Sequence, residues 1–263
     1  EKGIRFQGTL KQAHNFRRNH EPLKASRLLI GLLRQEPSND VAYAELALAL
    51  FSLGLMDRAI VAFDQAIKLK PEHDPYYVNF SAILHHAGHY QDCVRIGGRA
   101  LELNPQSALA HMNVGLSQFS LKHWQEGIHH FEQAVRWDPN NCGAWINLGI
   151  GYENQAMDED ANRCFVNAFK LEPALSHVAL CLGTSYLKIG RFKEGWEHFS
   201  TRFESDKSLQ LTGDVKIWRG EPLEGKSIHL YPEQGLGDLV QFIRFAKTLS
   251  DQGARVVATV PKR

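Results

Sequence analysis

Three asparagines at a constant interval are the first residues in the sequence whose chemistry suggests a task. Asn79, Asn113 and Asn147 follow one another at intervals of 34 residues. A side-chain amide both donates and accepts hydrogen bonds, as a peptide backbone does. A ladder of amides at fixed pitch could therefore hold an extended polypeptide without reading its side chains. The alternative is that asparagine is simply common at this position of the repeat described below.

Histidines and cysteines are the other residues that could do chemistry, as metal ligands. His85, His86 and His89 lie together and His129 adjoins His130, but neither group has carboxylate or cysteine partners at ligand spacing. The sequence therefore predicts no metal site. The cysteines form no Cys-x-x-Cys pair, and each falls in a predicted helix or at its start, which predicts reduced side chains at Cys93, Cys142, Cys164 and Cys181.

Prolines reveal the repeat that sets this interval. They recur every 34 residues, each after an apolar-periodic helix that proline can end but not continue, at Pro37, Pro71, Pro105, Pro139 and Pro173. In this alignment the eighth position is small in successive units, at Ala47, Ser81, Gly115, Gly149 and Gly183. The twentieth position is also small, whereas the twenty-fourth is usually phenylalanine. A period of this length indicates an array of helical hairpins.

The pattern resembles the tetratricopeptide repeat family, in which large residues on the first helix of each unit lie beside small residues on the second. The resemblance implies an all-α superhelix, an α-solenoid of about six repeats over residues 1–204. Its units are expected near 6–39, 40–73, 74–107, 108–141, 142–175 and 176–204. The first unit has a degenerate first helix, and the last lacks the final Ala and Pro.

In this family the first helices line a concave groove that binds a protein or peptide, and the ladder resembles the one in the repeat domain of O-GlcNAc transferases. The resemblance implies a groove lined by Asn79, Asn113 and Asn147, and by the neighbouring Val78, Met112, Ile146 and Phe119. No cluster of Lys or Arg lies around the ladder. The family's carboxylate clamp for a chaperone C-terminus is therefore not expected there.

The pattern changes after Phe199. Residues 205–222 indicate a linker, and 223–263 indicate mixed α/β structure. A strand is predicted at 227–231, a glycine-containing loop at 232–238, an amphipathic helix from Leu239 to Asp251 and a second strand at 254–260. Strand, glycine loop, helix and strand in this order form the opening βαβ unit of a parallel sheet.

The stretch WRGEPLEGKSIHLYPEQGLGDLVQFIRF at 218–245 resembles a bacterial family in which tetratricopeptide repeats run into a GT-B glycosyltransferase-like domain related to the heptosyltransferases. The resemblance implies that 223–263 is a partial Rossmann-like unit of such a domain. It also implies that Asp238 is a general base for an acceptor hydroxyl, beside an acceptor or phosphate loop of Glu233, Gln234, Gly235 and Gly237. Alternatively, Asp238 is only the N-cap of the following helix and the glycines serve a tight turn.

Composition limits the classes of partner. The 30 basic and 29 acidic residues leave a net charge of +1, which gives no electrostatic reason to expect nucleic acid. No apolar run is long enough to span a bilayer, and the first residues contain no signal core, so a cytoplasmic protein is expected.

The sequence therefore predicts a scaffold that binds a protein or peptide in its groove, N-terminal to a truncated glycosyltransferase-like domain. No cofactor is expected in this chain, although a nucleotide sugar would serve a longer parent protein. The chain alone is expected to be inactive, because a GT-B enzyme needs two Rossmann-like halves. Two alternatives stay open: the N-terminal part of an active glycosyltransferase, and a scaffold that assembles with copies of itself.

Overall fold

The computed structural model describes residues 2–201, 218, 220–230 and 243–259. The chain divides into two compact units, 1–199 and 200–263. The described part of the first unit consists of helices in antiparallel pairs, each pair being one repeat. In chain order they are α1 (Lys2–Arg18), α2 (Pro22–Gln35), α3 (Asp40–Ser52), α4 (Met56–Leu69), α5 (Asp74–His86), α6 (Tyr90–Leu103), α7 (Ala108–Ser120), α8 (Trp124–Trp137), α9 (Cys142–Asn154), α10 (Asp158–Leu171), α11 (Ser176–Lys188) and α12 (Phe192–Phe199).

The second unit contains β1 (Ser227–Leu230), α13 (Phe245–Asp251) and β2 (Arg255–Ala258). The strands are parallel, with Ser227 opposite Arg255, and the described core of this unit consists of Leu223, Leu249 and Ala254. The predicted fold class, an all-α solenoid followed by a short α/β segment, is confirmed.

The helix predicted from Leu239 is shorter within the described residues. Residues 243–244 form a turn and helix α13 begins at Phe245, while residues 239–242 lie outside the description. The apolar spacing continues through this turn, because Ile243 stands where the apolar face of a longer helix would place a residue. Apolar spacing alone therefore did not predict where the helix begins.

Local chemistry explains where the repeat helices begin and end. Each periodic proline stands two residues beyond the last residue of a second helix, from α2 to α10. The side chains of Asn39, Ser107 and Asn141 accept hydrogen bonds from backbone N–H groups in the first turns of α3, α7 and α9. These N-caps satisfy donors that a helix start leaves unpaired.

The turn between the two helices of each repeat has a backbone feature that the sequence shows only in part. The fifteenth repeat position has a positive φ in every unit, between 56° and 81°, at His20, Gly54, Gly88, Lys122, Ala156 and Gly190. Glycine adopts this conformation at little cost, whereas other residues are strained there. Three units therefore form the same turn without glycine, the residue from which such a turn would be predicted.

Small residues allow the paired helices to approach closely. A Cβ atom on Gly115 would lie 2.7 Å from the ring of Phe131, and one on Gly149 would lie 2.7 Å from the ring of Phe165. Both rings are about 1% exposed, so each fills the space that its glycine leaves open. The alternation of small and large positions in the sequence is thus the contact between α7 and α8 and between α9 and α10.

Candidate functional site

The asparagine ladder lies on the first helices of consecutive repeats. Asn79 is in α5, Asn113 in α7 and Asn147 in α9, each at the sixth position of its repeat, and α5 also contacts α7 directly. Asn79 is exposed, whereas Asn113 and Asn147 are half-buried. We call the side of the first helices that carries these sixth positions the ladder face; in α3 the sixth position is Glu45.

The three amides are not equivalent. Nδ2 of Asn113 donates to the carbonyl oxygen of Val78 and to Oγ of Ser81, both at 3.0 Å. Ser81 Oγ in turn donates to the Val78 carbonyl oxygen at 2.7 Å. Both N–H donors of Asn113 are therefore engaged within the protein, and its carbonyl oxygen is the group left for a ligand.

A single residue explains this difference. One of the two acceptors for Asn113 is the hydroxyl of Ser81, which occupies the small eighth position of the preceding repeat. At the corresponding positions before Asn79 and Asn147, Ala47 and Gly115 have no hydroxyl group. Among the described residues, neither of these two asparagines has a side-chain hydrogen-bond partner. Ser81 is visible in the sequence. Its hydrogen bond to Asn113 could be recognised only from the approach of α5 and α7.

The apolar residues predicted to line the groove have different roles in the structure. Val78 is 9% exposed and belongs to the buried core, so the prediction that it lines the groove is not supported. Phe119 is half-buried, and its ring occupies the space beside Gly127 and Gly151, where an added Cβ would lie 2.1 Å and 3.1 Å from it. Phe119 therefore packs between helices.

The other two apolar positions are half-buried and remain on or near the ladder face. Met112 packs against the core cluster that contains Phe131, and Ile146 packs against the cluster that contains Phe165. Ile150, one turn beyond Ile146 on α9, is 39% exposed. The centre of the ladder face therefore combines amides with accessible apolar surface.

Contacts between consecutive first helices lie near this face, and sequence reasoning missed them. Arg17 Nε donates to Glu45 Oε2 at 3.1 Å, which joins α1 to α3. Lys188 Nζ donates to Glu153 Oε1 at 2.8 Å, which joins α11 to α9. These ion pairs link side chains 28 and 35 residues apart, each pair joining two consecutive repeats. The 34-residue period was the available signal for both.

Two histidines form a pair inside the fourth repeat, residues 108–141. Nδ1 of His111 lies 3.0 Å from Nδ1 of His130, and Nε2 of His111 lies 3.1 Å from the carbonyl oxygen of Pro105. Because a carbonyl only accepts, His111 is protonated on Nε2 and its Nδ1 accepts the proton of His130 Nδ1. Burial, with the neighbouring imidazoles His111 and His129, lowers the pKa of His130 to about 4.

The cysteines are free thiols in the structure. Burial raises the pKa of Cys93 to about 11 and that of Cys164 to about 12, so both are protonated at neutral pH. Burial also raises the pKa of Cys142 and Cys181. Protonated thiols are poor nucleophiles and metal ligands, which agrees with a packing role. Over the described ranges, no group of three or more His, Cys, Asp or Glu has the geometry to hold a metal ion.

The glycosyltransferase-like site predicted from the sequence lies outside the described residues. This applies to Asp238 and to the loop of Glu233, Gln234, Gly235 and Gly237. Its flanking elements, β1 and β2, are described and have the parallel pairing expected for a βαβ unit. In the part of the chain that the structure covers, no helix has the length and apolar character needed to cross a membrane.

Paired helices that recur every 34 residues are typical of one class of helical-repeat protein. Family models of the tetratricopeptide repeat match residues 10–74 and 108–141, so these two stretches contain tetratricopeptide repeats. Protein FlbA of Caulobacter vibrioides is 39% identical over 72 residues, which are 26% of this chain and 12% of FlbA. The chain therefore spans only a small part of the length of that relative.

Solved structures share the helical arrangement at low sequence identity. PilW, a type IV pilus biogenesis factor, is 17% identical with a TM-score of 0.70, covering 78% of this chain and 96% of PilW. MamA from Desulfovibrio magneticus RS-1 is 23% identical with a TM-score of 0.58, covering 64% and 96%. YrrB, described as a TPR protein with an unusual peptide-binding site, is 16% identical with a TM-score of 0.55, covering 69% and 94%. These likenesses show the fold alone.

Proposed function

We propose that the repeat array binds an extended polypeptide segment along the ladder face. The observation that carries the proposal is the state of the outer amides. Asn79 and Asn147 lie on the same row of the solenoid, and neither has a side-chain partner among the described residues. Each amide therefore keeps a donor and an acceptor for the backbone of a bound chain. The peptide-binding site in the name of the structural neighbour YrrB supports the same use of this fold.

The pitch of the ladder suits an extended chain. Packed helices lie roughly 8–10 Å apart, and an extended chain rises about 3.3 Å per residue. Consecutive first helices therefore meet the bound backbone about every third residue, and Asn79 and Asn147 meet it about six residues apart. The exposed Ile150 and the half-buried Met112 and Ile146 supply apolar contacts between and beside the amides. Such a surface favours uncharged segments.

Replacing both outer asparagines should weaken binding without loss of stability. A protein–ligand hydrogen bond contributes about 0.5–1.5 kcal/mol, so Asn79→Ala with Asn147→Ala should raise Kd about tenfold or more. The probe is a fluorescein-labelled 12-residue peptide selected from a random library on the wild-type protein. Fluorescence polarisation gives Kd, and circular dichroism shows whether the helices are intact.

Asn113→Ala is the matched control in the same row. It removes the donors to Val78 and Ser81, so we expect a loss of about 1–2 kcal/mol in unfolding free energy and a smaller change in Kd. An unchanged Kd in the Asn79/Asn147 double variant, with intact helicity, would contradict the proposal. An equal effect of all three substitutions on Kd would contradict the distinction between inner and outer amides.

We also propose that residues 223–263 belong to a GT-B glycosyltransferase-like domain. The observation that favours it is the parallel pairing of β1 with β2 through a crossover that contains α13. A parallel sheet is normally covered on both faces, yet Val257 in β2 is 46% exposed, which leaves this unit short of a complete α/β layer. The repeats would then bring an acceptor polypeptide to a sugar-transfer site, with Asp238 as its general base.

This second proposal predicts transfer activity only for a longer protein. The polypeptide encoded through to the end of the reading frame is assayed with a panel of nucleoside diphosphate sugars, and Asp238→Asn should lower kcat by about 100-fold or more with little change in donor Kd. Residues 1–263 alone should bind no donor. A wild-type rate for Asp238→Asn would favour the N-cap role, and donor turnover by residues 1–263 would contradict the expected inactivity.

A further inference from the structure

The first helix extends the ladder face with basic side chains. Although its sequence matches the repeat poorly, α1 is a regular helix of 17 residues that packs against α2 and α3. It contains five basic residues and no acidic residue. Its sixth repeat position is Lys11, the position that Glu45 and the asparagines occupy in later repeats. Arg18 stands seven residues beyond Lys11, which places the two on the same side of the helix.

Contacts to α3 establish which side of α1 adjoins the ladder face. Nδ1 of His14 lies 3.2 Å from Glu45 Oε1, and Arg17 Nε donates to Glu45 Oε2 at 3.1 Å. His14 and Arg17 lie between Lys11 and Arg18 along α1, and their partner Glu45 stands in the row of sixth positions. The row therefore runs from Lys11 through Glu45 to the asparagines.

The charges along this row are unequal at its two ends. Glu45 is neutralised by Arg17, and their side chains are only 18% and 25% exposed. Lys11 and Arg18 are exposed and have no ion-pair or hydrogen-bond partner among the described residues. At the opposite end, Lys188 is paired with Glu153. Unpaired positive charge is thus concentrated at the α1 end.

At the centre of the row, the described sixth positions of α5, α7 and α9 carry no ionised group. Helix α7 has no acidic or basic residue other than His111, which is buried beneath the surface. In α5 the acidic residue is Asp74, at the helix start, where its carboxylate accepts a hydrogen bond from Asn104. In α9 the one acidic residue, Glu153, is paired with Lys188. A chain lying on the ladder face therefore meets no charged side chain at the sixth positions of α5, α7 and α9, and two free cations at α1.

We propose that the segment bound along the ladder carries carboxylates at the end that reaches α1, on Lys11 and Arg18. This deepens the proposed function and rests on it: the ligand is an extended segment with an acidic end and an uncharged, partly apolar remainder. The guanidinium of Arg18 can hold a carboxylate with two parallel hydrogen bonds, whereas Lys11 acts as a point charge. The α1–α5 separation of two helix spacings places the acidic group roughly five to six residues from the contact with Asn79.

Synthetic peptides test the composition directly. Each probe has a neutral eight-residue segment of Ser, Val, Thr and Ala, joined to four Asp, four Lys or four Ser at either end, with a fluorescein label and an amidated C-terminus. In low salt the wild-type protein should bind one of the two Asp orders at least fivefold tighter than the Ser probes, and 0.5 M NaCl should remove the difference. A Ser probe with a free C-terminus distinguishes a terminal carboxylate from acidic side chains.

Charge reversal assigns the effect to α1. Lys11→Glu with Arg18→Glu should abolish the preference for Asp and turn it toward the Lys probes. The matched control is Arg27→Glu with Arg58→Glu, which makes the same change in net charge at exposed positions of the second helices α2 and α4. The control should keep the preference for Asp, and circular dichroism should show that both variants remain helical.

Other outcomes would overturn the inference. If Asp and Ser probes bind equally, but binding still depends on Asn79 and Asn147, the ladder binds peptide. The proposal that the bound segment has an acidic end is then wrong. If no probe of any charge binds, the proposed function fails as well. Tighter binding of a 12-nucleotide single-stranded DNA than of the Asp probes, lost in the α1 variant, would assign the cations to phosphate rather than to carboxylate.

Discussion

Replacing Gly127 with alanine should destabilise the array by about 2–3 kcal/mol, the upper part of the range for overpacking a core. A Cβ atom at this position in α8 would lie 2.1 Å from the ring of Phe119 and 3.1 Å from the carbonyl oxygen of Gly115. The ring must move, and the backbone of α7 blocks adjustment on the other side. Thermal and urea unfolding, followed by far-ultraviolet circular dichroism, measure the loss.

Gly98→Ala in α6 is the matched control, because nothing lies within 4 Å of a Cβ atom built there. The same substitution in a helix then gains the difference in helix propensity, so stability should rise by about 0.5–1 kcal/mol. Opposite signs at Gly127 and Gly98 are the expected result. Stabilisation by both substitutions would show that α7 and α8 adapt freely and that the small twentieth position is not required at Gly127.

A double variant tests the cause of the loss at Gly127. Phe119→Leu shortens the side chain that an added Cβ would strike, so part of the Gly127→Ala loss should be recovered when the two are combined. Residues in contact commonly show coupling of about 0.5–3 kcal/mol in such cycles. Additive effects would mean that Phe119 is not the group that excludes a larger residue.

Acid should weaken the array between about pH 6.5 and pH 4 through the histidine pair. Burial is the main cause that lowers the pKa of both His111 and His130, the latter to about 4. The unfolded chain, with a histidine pKa of about 6.5, then binds more protons than the folded chain in this window, so stability falls as pH falls. Above about pH 7 both states are neutral and the pair adds no pH dependence.

The expected effect is on the order of 1 kcal/mol after allowance for solvent screening at the partly exposed His130. In a chain of this size, that corresponds to a fall in Tm of about 2–4 °C from this pair. His130→Gln should remove this part of the slope between pH 7 and pH 5, whereas His177→Gln, at an exposed position of α11, should leave it. Parallel pH profiles for wild type and His130→Gln would rule out the pair as the source.

The repeat shows which features of the fold can be predicted from sequence periodicity alone. The spacing of Pro37, Pro71 and Pro105 predicted the hairpins, because proline ends a helix wherever it stands and needs no partner to do so. The asparagine row was predicted for the same reason, since residues 34 apart occupy equivalent places in stacked units. Periodicity failed at α1, whose poor match to the repeat concealed Lys11 and Arg18.

The roles of individual groove residues were harder to predict. Val78 and Phe119 have the spacing of groove positions, but one is buried and the other packs beside Gly127 and Gly151. Helical spacing gives only the direction in which a side chain leaves its own helix. Whether the side chain then reaches solvent or fills a gap depends on which residues the neighbouring helix places opposite it. The 34-residue period does not give that information.

The sequence by itself determined the class of the protein: the hairpin period, the small and large positions that let paired helices pack, the amide row and the change to α/β pattern after Phe199. These are local or periodic properties, so each can be recognised without knowing what lies across the interface. Only the tertiary structure decided how the amides differ. Ser81 and Asn113 are 32 residues apart, and their hydrogen bond exists because α5 and α7 approach at that point. In the same way, the approach of α1 and α3 joins Arg17 to Glu45, which are 28 residues apart. Among the described residues, it leaves Lys11 and Arg18 without a charged partner.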